Sequence, residues 1–455
     1  MTPGVRRERL RANLWLLPAL LVLAAALLFG VTYTLDRLAH HGDLSLPGWI
    51  DTGDAGSART ILTAIAAAVI TVAGVVFSVT IVAFTLASTQ FGPRILRNFL
   101  RDRGTQATLG TFVATFVYSV LALGSVSSRG AHPFVPHLST AVALLLMLLD
   151  VVVLIYFIHH VTTSIQLNEV VFSIAQDLGR AVDALETDAP VPDSASAPNL
   201  DELRQGLQRD GIEVPATTSG YLQAIGHRRL VEIARDNDAV IELTFRPGHF
   251  VTIGRPLARV WPATAEPAVA RLLERNHVTG PHRTLHQDLQ FAIDQLVEIA
   301  IRALSPAVND TFTALSCIDW LGDGLTRLSG RPLPSGVIRD ADGAVRLLVP
   351  PLDYERLVNR SFDQIRQAGR GLPAVGIRQL DTLSKIAEQT RSDTQRRVIA
   401  RQAGMLLREG ADPDAVPEAL DRDDLRRRYD RVDQALARAG RSLAGPATTP
   451  APLPS

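Results

Sequence analysis

The stretch Leu138–Ile158, LSTAVALLLMLLDVVVLIYFI, decides the fold. It holds one charged residue, Asp150, in a run of about 20 residues, the length a helix needs to cross roughly 30 Å of hydrocarbon. Three similar runs precede it: Leu14–Tyr33, Ile61–Leu86 and Thr108–Val126. None follows. The expected fold is an integral membrane α-helical protein with four transmembrane helices, followed by a cytoplasmic α+β region. The lipid bilayer is then an obligatory partner. Arg6, Arg7, Arg9 and Arg11 precede the first run, as in a signal peptide. The run is longer than a signal h-region and no A-x-A-like site follows it, so it reads as a retained anchor.

Composition narrows the chemistry. The 455 residues carry zero net charge, which offers no bulk attraction for nucleic acid. The single cysteine, Cys317, excludes an intrachain disulfide and CxxC-type zinc spacing. Lys385 is the only lysine, which leaves little room for Schiff-base or lipoyl-lysine chemistry. No P-loop, GxGxxG, HExxH or GxSxG is present, so no enzyme and no cofactor are expected.

Arginines set the topology. Four lie before the first run, and Arg94, Arg97, Arg101 and Arg103 lie between the second and third. The other two loops hold only Arg37 and Arg59, and Arg129. Both termini are therefore expected inside a bacterial inner (plasma) membrane, with the large C-terminal region cytoplasmic. Arg94–Arg103, with Ile95, Leu96, Phe99 and Leu100, reads either as an interfacial amphipathic helix or as a charged loop. His159-His160 reads as an interfacial anchor, with pH sensing as the alternative.

Polar residues inside the runs are the candidate path. A carboxylate at the depth of Asp150 costs a few kcal/mol unless protein or water shelters it. Thr71, Ser78 and Thr85 recur at seven-residue spacing in the second run, and Thr111, Thr115 and Ser119 at four-residue spacing in the third. Such hydroxyl stripes either line a polar path or serve ordinary helix packing. Four spans without an internal repeat place any pore between subunits of a homo-oligomer.

The cytoplasmic part begins with a helical stretch, Val161–Leu185, and a Pro/Ser/Asp linker, Asp188–Asn199. Tyr221–Ile225, Leu230–Ala234, Ala239–Leu243 and Leu257–Trp261 read as short strands. Arg246–Leu257, RPGHFVTIGRPL, is similar to the turn of biotinyl/lipoyl-type barrel-sandwich domains. Those domains carry their cofactor on a lysine at a hairpin tip, expected here at Arg235–Asp238, where there is none. A structural or docking module is implied. Asp294, Glu298 and Arg302 fall at i, i+4 and i+8 of a helix that Ser305-Pro306 ends, and Asp310 is placed to cap the next. Asp294, Glu298 and Asp310 are weak metal candidates against the alternative of caps and ion pairs. Tyr354–Ala368, Ala374–Glu388 and Asp393–Leu407 read as amphipathic helices, and Asp421–Arg438 as a final charged helix rich in Arg and Asp.

Two blocks, FSVTIVAFTLASTQFGPRILRNFLRDR (Phe77–Arg103) and RALSPAVNDTFTA (Arg302–Ala314), resemble a bacterial membrane-protein family known as domain of unknown function 2254. The resemblance implies a four-span N-terminal region and a cytoplasmic C-terminal region, and assigns no activity, substrate or site residue. The domain plan is thus 1–165 transmembrane, 166–200 extension and linker, 201–265 a small β barrel-sandwich-like module, 266–442 a helical bundle and 443–455 a disordered tail. The leading functional expectation is a homo-oligomeric channel or transporter for inorganic ions or small solutes, gated or assembled by its cytoplasmic domain. The alternative is a membrane-anchored scaffold or sensor that binds a cytoplasmic partner or ligand.

Overall fold

Apolar runs with no proline beyond the first helical turn, where Pro18 of the first run falls, form unbroken helices, because a helix satisfies its backbone N–H and C=O groups within one segment. The computed structural model describes residues 15–41, 52–91, 102–127, 134–164, 166–185, 200–285 and 287–443. Its first four helices are α1 (Leu16–His40), α2 (Ala55–Phe91), α3 (Arg103–Ser125) and α4 (His137–Ser164). All four are long and apolar enough to cross a membrane. Each extends beyond the apolar run that announced it, α1 by a further two turns to His40.

The chain divides into two units, one over Arg6–Glu169 and one beginning at Val170. In the first, α3 packs against α1, α2 and α4, and α4 also packs against α1 and α2. Leu62, Ile65, Val69 and Val76 of α2 meet Phe112 and Tyr118 of α3 and Phe157 of α4 in one core. Large apolar side chains such as Leu27, Val82, Leu145 and Ile155 are exposed on the outside of this bundle. Lipid is the solvent in which such a surface carries no penalty.

The second unit opens with most of α5 (Leu167–Asp183), then α6 (Leu200–Asp210) and a region of mixed elements. These are β1 (Ile212–Pro215), β2 (Gly220–Ile225), α7 (His227–Asp236), β3 (Val240–Leu243), β4 (Phe250–Val251), β5 (Pro256–Trp261), α8 (Glu266–Asn276) and β6 (His277–Gly280). Next come α9 (Leu289–Ala303), α10 (Thr311–Ser329), β7 (Val337–Arg339) and β8 (Val345–Leu348). Four helices close the chain: α11 (Tyr354–Ala368), α12 (Pro373–Glu388), α13 (Asp393–Gly410) and α14 (Ala419–Leu443).

Two sheets form, one ordered β1-β5-β3-β8-β7 and one ordered β4-β2-β6. The β3–β8 pair is parallel, with Ile241 opposite Leu347, and Leu347 is fully buried in the core shared with Leu222, Leu230 and Val260. The sheet therefore does not close within 201–265, because β3 takes its second neighbour from residues 345–348. Leu230–Ala234 is not a strand but lies within α7. Leu230 and Ala234, one helical turn apart, are the fully buried pair. A short apolar run does not distinguish strand from helix by itself. Arg235–Asp238 is accordingly a helix end and not a hairpin tip. The glycine turns do form: Gly248 and Gly254 adopt φ of +95° and +79°, which side chains rarely tolerate. The Arg94–Arg101 segment, the Asp188–Asn199 linker and the tail from residue 444 lie outside the described residues.

Candidate functional site

The centre of the first unit holds three polar side chains that are buried and make no hydrogen bond. Asp150 lies midway along α4 and is 3% exposed; Thr115 and Ser119 of α3 are 1% and 0% exposed. Neither carboxyl oxygen of Asp150, nor the hydroxyl of Thr115 or Ser119, has a hydrogen-bond partner. The Thr115 hydroxyl is nonetheless close enough to act on the Asp150 carboxyl as a long, weak hydrogen-bond donor, so the two side chains face each other without a bond of normal geometry.

Other hydroxyls in the bundle behave differently. Thr71, Ser78, Thr85, Thr108, Thr111 and Thr140 each donate to the carbonyl four residues earlier, at 2.7–2.9 Å. That bond is available to any helical threonine or serine. Thr115 and Ser119 forgo it. Buried polar groups are nearly always paired, so three unpaired ones in one bundle mark a place where something else supplies the partner.

The two hydroxyl stripes also part company. Thr105, Thr108, Thr115 and Ser119 are buried along one side of α3 and Thr111 is half-buried. Thr71, Ser78 and Thr85 are exposed on the outside of α2, away from the core. Only the α3 stripe shares the bundle interior with Asp150.

Polar clusters sit at both ends of that stripe. At one end, Asp36 of α1 accepts hydrogen bonds from the backbone N–H groups of Leu138 (2.8 Å) and Ser139 (3.0 Å), where α4 begins. The Ser139 hydroxyl donates to Asp36 (2.7 Å) and lies 3.1 Å from Thr32 Oγ1, which is 2.8 Å from the Tyr118 hydroxyl. At the other end, Asp102 caps α3, accepting from the N–H groups of Gly104 (3.2 Å) and Thr105 (2.9 Å) and from the Thr105 hydroxyl (2.6 Å). His160 Nε2 of α4 lies 2.7 Å from Asp102 Oδ2, and its ring stacks on Tyr156 with centroids 5.3 Å apart. Gly104 makes this end possible, since a Cβ there would fall 2.6 Å from His160 Nε2.

The sequence reading missed Asp36 and Asp102 as parts of the bundle. Asp102 was legible as an N-cap, with Thr105 three residues on. The partners of Asp36 lie about a hundred residues away, and no local spacing announces them.

In the second unit the carboxylates are committed elsewhere. Asp294 receives Arg283 and Arg360, the latter through Nη2 at 2.8 Å as well as Nε. Asp288 caps α9 and takes Arg283 in a bidentate pair at 2.7 and 2.9 Å. Asp310 caps α10, accepting from the Thr313 N–H (3.1 Å) and hydroxyl (2.6 Å). Glu298 lies half-buried one turn after Asp294. Among the described residues no group of three or more His, Cys, Asp or Glu is placed to hold a metal ion. Two guanidiniums on Asp294 and a cap at Asp310 leave the Asp294, Glu298 and Asp310 set without the free oxygens a divalent ion needs.

Four apolar helices around a sheltered acid, followed in the chain by a helical and sheet unit rich in charge, define a multi-span membrane protein. The family model described as Predicted membrane protein (DUF2254) matches residues 11–385, and the chain belongs to that family. Uncharacterized protein Mb1321c of Mycobacterium bovis and Uncharacterized protein Rv1290c of Mycobacterium tuberculosis are each 32% identical to it over 363 residues, 78% of this chain and 68% of theirs. No solved structure matches the chain.

Proposed function

We propose that the protein moves an ion or small solute across a bacterial inner membrane, along α3 and past Asp150. The observation that carries this reading is the unpaired trio Asp150, Thr115 and Ser119 in the bundle interior. An ionisable residue that faces the interior of a membrane bundle marks an ion or proton path. In this reading Thr111 continues the path, and Thr71, Ser78 and Thr85 on α2 serve contact between copies, where small residues permit close helix approach. Both termini lie inside, as the arginines indicate, so the Asp102–His160 end faces the cytoplasm. The second unit assembles or gates the bundle and carries out no chemistry of its own.

The test is reconstitution of the full chain in liposomes, with ion-selective readout of H⁺, Na⁺, K⁺ and Cl⁻. Flux above empty vesicles, reduced by Asp150→Asn, supports the reading. Absence of every flux from an assembled wild type overturns it.

One observation favours a second reading, a membrane-anchored scaffold. Phe312 is 86% exposed and Val308 is 54% exposed at the corner between α9 and α10. A bare apolar knob is a feature of partner-binding surfaces. In that reading Phe312→Ser abolishes partner capture and Asp150→Asn has no effect.

A further inference from the structure

We infer that the species accepted at Asp150 is the proton and not a metal cation. The inference rests on the conduction reading above and names its cargo. It starts from the count of oxygens. Two carboxyl oxygens and the hydroxyls of Thr115 and Ser119 are the unpaired polar atoms of the bundle centre among the described residues. A dehydrated metal cation needs more: divalent ions take about six or more oxygens, and potassium filters use rings of backbone carbonyls. Transporter cation sites gain theirs by unwinding helices at the midplane. Here α3 and α4 run unbroken through Thr115, Ser119 and Asp150, so their carbonyls stay within the helices. A proton needs one lone pair.

The surroundings agree. The helices packed against α4 are α1, α2 and α3. Their ionisable residues are Tyr33, Asp36, Arg37 and His40 on α1, Arg59 alone on α2, and Arg103 and Tyr118 on α3. Arg59 and Arg103 stand near the helix starts, and Arg59 donates to the Val126 carbonyl at 3.4 Å. On α4 itself the others are His137, Tyr156, His159 and His160. Among the described residues no cation is paired with Asp150. Ionised and out of water, a lone carboxylate is costly, and a bound proton neutralises it with the least demand on geometry.

The groups on either side can pass protons on. The Thr115 hydroxyl faces Asp150, neither it nor the Ser119 hydroxyl makes a hydrogen bond of normal geometry, and a hydroxyl can both donate and accept. Beyond them lie the Tyr118–Thr32–Ser139–Asp36 cluster at one end and the Asp102–His160 pair at the other. Chains of acids, histidines and hydroxyls are the usual proton routes of membrane proteins. Each uptake breaks an O–H or N–H bond of the donating group as it forms one O–H bond on Asp150, and each release breaks that O–H bond as it forms one on the accepting group. The carboxylate is regenerated and no heavy-atom bond changes.

The experiment uses the full chain in proteoliposomes with a trapped pH dye and a clamped membrane potential. An imposed pH gradient is expected to collapse in wild-type vesicles. Asp150→Asn should fall to the rate of empty vesicles, Asp150→Glu should keep part of the flux, and Thr115→Val should slow it. Sodium and potassium indicators should not respond. A second measurement does not depend on a variant folding. Dicyclohexylcarbodiimide, which attacks protonated carboxyls in apolar surroundings, should add its mass to the peptide holding Asp150 and stop the flux. Sodium or potassium flux that Asp150→Asn removes would overturn the proton assignment and leave the conduction reading standing. Proton flux indifferent to Asp150→Asn or to the carbodiimide adduct overturns Asp150 as the site. An assembled wild type that passes no ion overturns both.

Discussion

Asp36 and Ser139, 103 residues apart in the chain, are joined twice: Asp36 Oδ2 accepts from the Ser139 backbone N–H at 3.0 Å and from its hydroxyl at 2.7 Å. With Leu138 N–H on the other oxygen, the carboxylate of α1 closes the first turn of α4. Helix N-termini favour negative charge because their first N–H groups lack intrahelical partners. The bond is therefore a cap supplied by a different helix, and it fixes where α1 and α4 meet. Asp36→Ala leaves two N–H groups unpaired and the Ser139 hydroxyl with Thr32 alone, at a cost of about 2–4 kcal/mol. Asp36→Asn, which can still accept, should cost less. Thermal unfolding of the detergent-solubilised chain checks this. An Asp36→Ala protein that melts with the wild type would remove the cap from the account of the bundle.

Asp294 is the hinge of the ion network in the second unit. Its side chain is 6% exposed, while Arg283 is 16% and Arg360 40% exposed. Arg283 also lies 5.2 Å over the Phe291 ring. Removing one partner of a buried pair leaves uncompensated charge, typically at roughly 3–5 kcal/mol. Solvent at Arg360 moderates this, so Asp294→Ala should cost about 2–3 kcal/mol. The loss should appear as faster amide exchange in α9 and α11. Because both carboxylate oxygens are engaged by arginine, added magnesium or calcium should leave the wild-type melting temperature unmoved. A calcium-dependent rise that Asp294→Ala abolishes would refute this.

How much of this was legible beforehand differed between elements for physical reasons. The four apolar helices and the four that close the chain follow from length and period, which are local properties. Tyr354–Ala368 begins and ends as its spacing indicates, with Asp353 capping it at the Arg356 N–H. The sheet was harder. β8 joins β3 from far along the chain, and no local pattern in Val345–Leu348 announces a parallel partner. Leu230–Ala234 was ambiguous because four apolar residues in five satisfy a strand as well as a helix. In the bundle, Asp150 and the α3 stripe were visible as exceptions to apolarity. Which hydroxyls face the acid and which face outward depends on packing that a single helix does not encode.

Cys317 provides a test that needs no substitution. It is fully buried on α10, and burial, with Asp310 adding to it, pushes the thiol up to about 12. The thiolate is the reactive form, so near neutral pH the thiol should be both protonated and enclosed. A maleimide should leave the folded protein unlabelled and modify it fully in urea, read as a mass shift. Labelling of the folded protein at the rate of a free cysteine would show that α10 opens from its neighbours on the timescale of the reaction.

The β7–β8 hairpin carries a pH dependence whose sign follows from one carboxylate. Asp340 Oδ1 accepts from the N–H groups of Asp342 (3.0 Å) and Ala344 (2.9 Å), and Oδ2 accepts from Arg346 Nε at 2.7 Å. Arg346 also reaches Asp238 at 2.8 Å, tying the hairpin to the end of α7. Burial acts to raise the Asp340 carboxyl, but Arg346 and the two N–H groups outweigh it and hold the group below the usual carboxylate range. A carboxyl whose folded value lies below its unfolded value contributes stability at every pH above the ordinary value near 4. That contribution fades as the pH falls through the lowered folded value. Asp340→Asn should therefore cost about 1–2 kcal/mol at neutral pH. Its deficit relative to wild type should narrow steadily in acid, where wild type loses the same charge. Amide exchange across Val337–Leu348, compared between the two proteins at neutral and acid pH, checks the sign. A deficit that stayed constant on acidification would mean that the hairpin is held by backbone pairing and not by the Asp340 charge.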